Sequence, residues 1–197
     1  MKYNFDGYVL LNGQLVLDRQ MNAISSRTID GVDKEELISL FESKQAPMIL
    51  VEKDRLFINY LNDIVKRVQA EIASPVYEIG TYAGADVFMA TIFFPRGEEK
   101  SFSNLVSSRW HDHAMDIFLP DGGKVYGIRK IMELENVGQK DIIAFGDGDN
   151  DIEMLKFADL GVAMGNAPDN VKEIADYITS PVDQDGVEKA LIYHSII

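Results

Sequence analysis

Between residues 142 and 179, three short apolar runs (142–145, 160–164 and 177–179) alternate with segments of helical spacing at 152–157 and 171–175. A strand that is apolar on both faces has no wet side, so its sheet must be covered by helices above and below. Strand–helix–strand alternation makes that sheet parallel. A strand at 115–119, a turn at Pro120-Asp121-Gly122-Gly123 and a helix at 124–134 lead into this pattern, and a helix at 187–192 closes it. Residues 114–197 thus read as α/β, with a parallel sheet.

The first part follows other rules. Apolar residues 8–11 and 14–17 flank Asn12-Gly13, a strong hairpin signal, and 24–29 reads as a further strand. Leu37, Ile38, Leu40 and Phe41 repeat at helical spacing within 32–41, behind first-turn acids, and 61–72 repeats the pattern through Leu61, Ile64, Val65, Val68 and Ile72. Strands at 48–51 and 56–60 bracket the polar tip Glu52-Lys53-Asp54-Arg55. Strands at 76–79 and 87–94 follow, the latter apolar enough for a sheet centre, and 96–106 reads as a weaker helix. Short hairpin connections make this an α+β module with a mainly antiparallel sheet. The boundary between the two parts is expected near Arg109-Trp110-His111-Asp112-His113.

With 197 residues, 46% hydrophobic and 26% charged, the chain can bury one large or two small cores. A net charge of −13 disfavours nucleic acid or an anionic membrane surface as partner. The absence of cysteine excludes disulfides, thiolate zinc and a Cys nucleophile, and suits a reducing compartment. No apolar stretch approaches the ~20 residues of a membrane span, and residues 1–6 lack the apolar core of a signal peptide. A cytoplasmic protein is expected. The acidity is uneven: residues 1–113 hold 16 acidic and 12 basic side chains, residues 114–197 hold 16 and 7.

Part of that excess lies in Gly146-Asp147-Gly148-Asp149-Asn150-Asp151, directly after the buried run 142–145. Ligands of open α/β sheets bind at the carboxyl ends of the strands. Three carboxylates in five residues repel one another there, so they either splay into water or meet a hard cation such as Mg²⁺. An EF-hand loop starting at Asp147 needs Gly at its sixth position and Glu at its twelfth, where Ile152 and Ala158 stand. A dinucleotide fingerprint starting at Gly146 puts its third glycine on Asp151, beside carboxylates that repel a pyrophosphate. Both motifs fail.

The loop resembles the fourth motif, G-D-x-x-N-D, of haloacid-dehalogenase-superfamily phosphatases of the Cof type. The resemblance extends over Gly161-Val162-Ala163-Met164-Gly165-Asn166-Ala167, Ala175-Asp176-Tyr177 and Asp185-Gly186-Val187, and over Lys124 with Gly127-Ile128 as the third motif. It implies a Rossmann-like core, here an incomplete parallel sheet, with an α+β cap of type C2. Residues 1–12 would link core to cap, 13–113 would form the cap, and 114–197 the C-terminal part of the core. It further implies a Mg²⁺-dependent hydrolase of small phosphomonoesters, sugar phosphates foremost, acting through an aspartyl-phosphate. Asp147 would ligate Mg²⁺. Asp151 would hold the metal's water shell or orient the loop, Asn150 would hydrogen-bond the phosphoryl group, and Lys124 would neutralise it. Asn12, at the cap entrance, and Asn166 are further substrate-binding candidates, against turn and helix-cap readings of each.

The family's D-x-D-x-T/S motif, which carries the nucleophile, is missing: Asp6, Asp18, Asp30 and Asp33 each lack a second Asp two places on. The chain thus reads as a phosphatase without its first core strands and inactive alone, either a fragment of a longer enzyme or a homodimer, paired or swapped, that covers the open edge beside 142–145. The alternative is a catalytically dead protein that binds phosphorylated ligands or a protein partner. Outside the core, His111 and His113 form an H-x-H pair, read as a hinge or substrate-facing element ahead of a metal site. Nothing in their spacing selects Arg27 or Arg55 for a sugar or carboxylate.

Overall fold

The computed structural model describes residues 5–97 and 102–197, and the chain divides into two compact units, Met1–Gly123 and Lys124–Ile197. No helix among the described residues is long and apolar enough to cross a membrane.

The first unit opens with strands β1 (Gly7–Leu10), β2 (Leu15–Asp18) and β3 (Ala23–Ser26) in an antiparallel sheet of order β1-β2-β3. The expected hairpin forms, with Leu10 opposite Leu15. Its loop is longer than an Asn-Gly pair, because Leu11, Asn12 and Gly13 all take left-handed φ values of 53°, 51° and 81°. Gly13 also could not carry a side chain, since a Cβ would sit 2.0 Å from the Gly123 carbonyl oxygen.

A five-stranded antiparallel sheet forms the rest of this unit. Its strands are β4 (Met48–Val51), β5 (Leu56–Ile58), β6 (Met89–Phe93), β7 (Val106–His111) and β8 (Ala114–Phe118), in the order β5-β4-β6-β8-β7. Helix α1 (Gly31–Ser43) packs Leu37, Leu40 and Phe41 with Met48, Leu50, Ala90, Ile92, Met115 and Ile117. Helix α2 (Asp63–Glu71) packs Val65 and Val68 with the alternate strand residues Ile49, Val51, Met89, Phe93 and Phe118. Both faces being covered, β4 and β6 are buried at every position, and they read as apolar runs broken only by Thr91.

Four expectations change in this part of the chain. The run 115–119 forms β8, but antiparallel between β6 and β7, so it belongs to the first unit and not to the parallel sheet. A division at 113/114 would therefore cut a strand pair, and the units part between Gly123 and Lys124. The run 76–79 is not a strand: Ile79 makes one bridge to Ile58, while Val76 and Ile79 stay 75% and 59% exposed, so the alternation has no core to face. Of the helix expected at 96–106, residues 98–101 lie outside the described residues. Residues 102–105 are irregular, with Asn104 donating to Asp33, and Val106 opens β7.

The second unit contains α3 (Gly123–Glu135, its first residue belonging to the preceding unit), β9 (Ile143–Gly146), α4 (Ile152–Phe157), β10 (Leu160–Ala163), α5 (Asp169–Lys172), β11 (Tyr177–Ile178) and α6 (Gly186–Tyr193). The sheet is parallel throughout, in the order β11-β10-β9. Its core joins Ala144, Leu155, Ala163, Ala167 and Val171. Strand β9 is an edge strand of this sheet, and only its alternate residues Ala144 and Gly146 are buried, where burial of the whole run was expected.

Candidate active site

Strand β9 ends at Gly146, and the chain turns there over its own carboxylate. A Cβ at Gly146 would lie 2.5 Å from the Asp151 Cβ, so glycine is what lets Asp151 fold back against the strand end. Asp151 is only 6% exposed. Its Oδ2 accepts hydrogen bonds from the backbone N–H groups of Asp147 (3.0 Å) and Gly148 (3.1 Å), which closes the loop. Its Oδ1 accepts from Lys124 Nζ at 2.5 Å. Lys124 sits in the first turn of α3, where a cation opposes the helix dipole, and the Asp151 carboxylate offsets that opposition.

The other two carboxylates of the loop remain exposed, and each is held by an amide. Asp147 Oδ2 accepts from Asn166 Nδ2 at 2.8 Å, and Asp149 Oδ1 accepts from Asn170 Nδ2 at 2.8 Å. Asn166 precedes α5 and Asn170 lies in its first turn, so one short segment steadies both. The side chain of Asn150 lies against Gly148, with Oδ1 2.7 Å from where a Cβ would be, and makes no hydrogen bond among the described residues.

Lys124, Asp147, Asp149, Asn150, Asp151 and Asn166 therefore all belong to the second unit, around one strand end. Asn12 belongs to the first unit, where its Nδ2 donates to Asp116 Oδ2 at 2.9 Å. Thr91 Oγ1 (2.7 Å) and Trp110 Nε1 (2.9 Å) donate to the other oxygen of Asp116. This network ties the left-handed turn to the five-stranded sheet. Arg55 clamps the buried Glu52 and stacks over Phe57, and Arg27 donates to the Pro120 carbonyl. His111 pairs with Glu71 through Nε2 (2.8 Å) and accepts the His113 N–H through Nδ1 (3.1 Å), so both its nitrogens are in use.

Sequence reasoning missed Asn170 and the backbone N–H of Val182, which donates to Asn166 Oδ1 at 3.0 Å. Neither carries a local signal, because each matters through a partner distant along the chain.

The donor chemistry suits a hard cation. Asp147 offers an exposed, oriented carboxylate whose Oδ1 accepts no hydrogen bond from the described residues. No three His, Cys, Asp or Glu side chains converge among the described residues. Mg²⁺ needs no such cage, since it commonly takes one or two carboxylates and keeps waters and phosphate oxygens for the rest. Asp151, buried and already bonded to Lys124 and two backbone N–H groups, is better placed to shape the loop than to ligate directly.

The second unit is thus a parallel α/β unit with an acidic loop and a lysine at one strand end, and the first is an α+β unit. The comparisons are specific. The chain belongs to the haloacid dehalogenase-like hydrolase family, whose sequence model matches residues 1–191. It is 41% identical over 115 residues to YkrA of Bacillus subtilis, whose name proposes a phosphatase; the matched stretch covers 56% of this chain and 44% of YkrA, less than half that protein's length. A phosphatase of the same superfamily from Bacteroides thetaiotaomicron superposes with a TM-score of 0.86 at 29% identity, over 98% of this chain and 75% of the other. A sugar phosphatase of subclass IIB superposes with a TM-score of 0.87 at 30% identity, over 98% of this chain and 76% of the other. The fold is thus mixed α/β, with a Rossmann-like core and a cap, as the motifs imply.

Proposed function

We propose that this chain forms the cap and part of the core of a Mg²⁺-dependent phosphatase acting on small phosphomonoesters, sugar phosphates foremost. One observation carries the reading: Lys124 and the loop backbone hold Asp151 buried at the end of β9, while Asp147 stays exposed, oriented and anionic beside it. When bound, Mg²⁺ supplies positive charge to the phosphoryl oxygens. In this reading Asp147 ligates the ion, Asp151 fixes the loop and holds the Lys124 ammonium in place, and Asn150 has a free amide to donate to a phosphoryl oxygen. The Lys124 ammonium has three protons, one of them directed at Asp151, which leaves donors for the phosphate. Asn166 holds Asp147, so it enters as a support for the site, whereas the Asn12 amide is engaged with Asp116 within the first unit.

The aspartyl nucleophile of this reading lies outside these 197 residues, since no D-x-D-x-T/S occurs among them. That same fact favours a second reading, a protein that binds phosphorylated ligands without turning them over. Two measurements on the chain separate these. Mn²⁺, a spectroscopic substitute for Mg²⁺, is expected to bind in electron paramagnetic resonance titrations, and Asp147→Ala to abolish binding. Hydrolysis of p-nitrophenyl phosphate should be absent, and should appear when a segment bearing D-x-D-x-T/S is supplied. Turnover by the chain alone that Asp147→Ala abolishes would overturn the placement of the nucleophile. Binding without turnover even after that addition would establish the second reading. No Mn²⁺ binding at all would overturn the cation site.

A further inference from the structure

The segment that follows β11 has no role in the reading above, yet it reaches the acidic loop through one side chain. Asn166 uses both ends of its amide. Its Nδ2 donates to Asp147 Oδ2 at 2.8 Å, and its Oδ1 accepts from Val182 N at 3.0 Å. The partners settle which end is which, because a carboxylate can only accept and a backbone N–H can only donate. Rotating the amide would break both bonds. Asn166 therefore transmits the position of residue 182 to Asp147.

The segment carrying Val182 is itself fixed. A 3₁₀ turn spans Val182–Gln184, after Pro181. Pro181 presses on Gly165, where a Cβ would lie 2.6 Å from the Pro181 nitrogen and 2.8 Å from the Thr179 oxygen. Gly165 N donates to Ser180 O at 3.2 Å. The buried Thr179 hydroxyl donates to Gly186 O at 2.6 Å, which draws the two ends of the segment together. Gly186 fits only as glycine, its hypothetical Cβ being 2.1 Å from Ser180 O. The segment 179–186 is a packed strap whose inward-pointing donor ends on Asn166.

We propose that Asn166 is a positioning residue for Asp147, and that the Val182–Gln184 turn is the strut that holds it. The proposal rests on the reading of Asp147 as the cation ligand. An amide suits this task in a way that Lys or Arg would not. It fixes the carboxylate by a neutral donor and leaves the full negative charge for the cation, whereas a cationic donor would cancel it. Partners behind a metal ligand typically contribute about 10–100-fold in metal affinity.

The strut can be cut without touching the site. Val182→Pro removes one N–H and little else. The position opens a 3₁₀ turn, Pro is tolerated there, the preceding Pro181 is extended at ψ 159°, and the Val182 side chain is 67% exposed. Mn²⁺ affinity, read by electron paramagnetic resonance on the full chain, should fall about 10-fold in Asn166→Ala and several-fold in Val182→Pro. In the Asn166→Ala background, Val182→Pro should have no further effect, because its contact is already gone. In metal-free protein, Asn166→Ala should speed hydrogen exchange at the Val182 amide. Wild-type affinity in Asn166→Ala, or full additivity of the two changes, overturns this proposal while leaving the cation site standing. Failure of the wild-type chain to bind Mn²⁺ overturns the cation site and this proposal with it. If Asn166→Ala is poorly folded, Val182→Pro alone decides, and unchanged affinity there refutes the strut.

Discussion

Replacing Lys124 by Met tests the most consequential pair in the molecule. Met keeps an unbranched stem of similar length and removes only the charge. The Asp151 side chain is 8% exposed and that of Lys124 is 29% exposed, so the pair sits at the edge of the buried regime. Breaking a fully buried pair leaves an uncompensated charge and destabilises by about 3–5 kcal/mol. Two terms reduce this figure here. Asp151 keeps the backbone N–H donors of Asp147 and Gly148, and solvent reaches the lysine side of the bond. A loss of about 2 kcal/mol is expected, near the range for a charge-assisted hydrogen bond. With a urea m-value of about 2 kcal/mol/M, the midpoint for the second unit should fall by roughly 1 M. Adding Asp151→Asn to Lys124→Met should recover part of the loss, since a neutral amide still accepts from the two backbone N–H groups and no longer needs a cation. Circular dichroism during urea titration reads both variants. A Lys124→Met midpoint equal to wild type, or a double variant less stable than Lys124→Met, would refute the argument that Lys124 neutralises a buried carboxylate.

Three further outcomes follow from the same structure. Asn59 is 2% exposed and serves four backbone groups, accepting from Met48 N and Tyr60 N and donating to Phe41 O and Ala46 O, so Asn59→Ala should cost about 3 kcal/mol in urea unfolding of the first unit. Gly161 on β10 would place a Cβ 2.3 Å from the Leu155 backbone oxygen, so Gly161→Ala should force α4 away from the sheet and destabilise the second unit by about 2–3 kcal/mol, read by its thermal midpoint. The Asp18 carboxyl lies below its ordinary value of 3.8, chiefly through the Asn22 side chain and then its backbone N–H. A lowered folded value contributes stability that is present above the ordinary value and lost as pH falls through the folded one, so Asn22→Ala should raise the Asp18 midpoint in a carbon-13 carboxyl titration and lower stability slightly at neutral pH while leaving it unchanged in acid.

What was legible in the sequence is what short-range chemistry decides. The parallel sheet showed in 142–145, 160–164 and 177–179, since short apolar runs with helical spacing between them announce strands packed under helices, although β9 is buried only at alternate residues. The acidic loop showed because charge density at a strand end is local. The run 115–119 was correctly read as a strand but assigned the wrong sheet, because β8 has the same apolar face whether its neighbours run parallel or antiparallel. The pairing partner is a long-range fact. Val76 and Ile79 misled for a related reason: their alternation looks like half a buried strand, yet nothing covers it. Asn59, Asn170 and the Val182 N–H were invisible because an asparagine or a peptide group gains its role only when the fold brings up a distant partner.

The three carboxylates of the loop are sorted by the kind of donor that meets each. Asp151 is buried, and a buried anion without a cation is expensive, so it is met by Lys124. Asp147 and Asp149 are exposed, where water already stabilises their charge, and each is met by an asparagine that directs it without neutralising it. Reversing the assignment would fail on both counts: an amide could not stabilise the buried Asp151, and a lysine on Asp147 would compete with any metal. The pattern therefore keeps negative charge at the surface of the loop, next to one ammonium held at its base. That separation of charge is what the proposed site, a divalent cation beside a phosphate dianion, would require. Exchanging Asn166 for Lys tests it directly: the ion pair with Asp147 should leave the fold intact by circular dichroism while Mn²⁺ binding is lost, and retained binding would show that the charge of Asp147 is not what the loop is built to preserve.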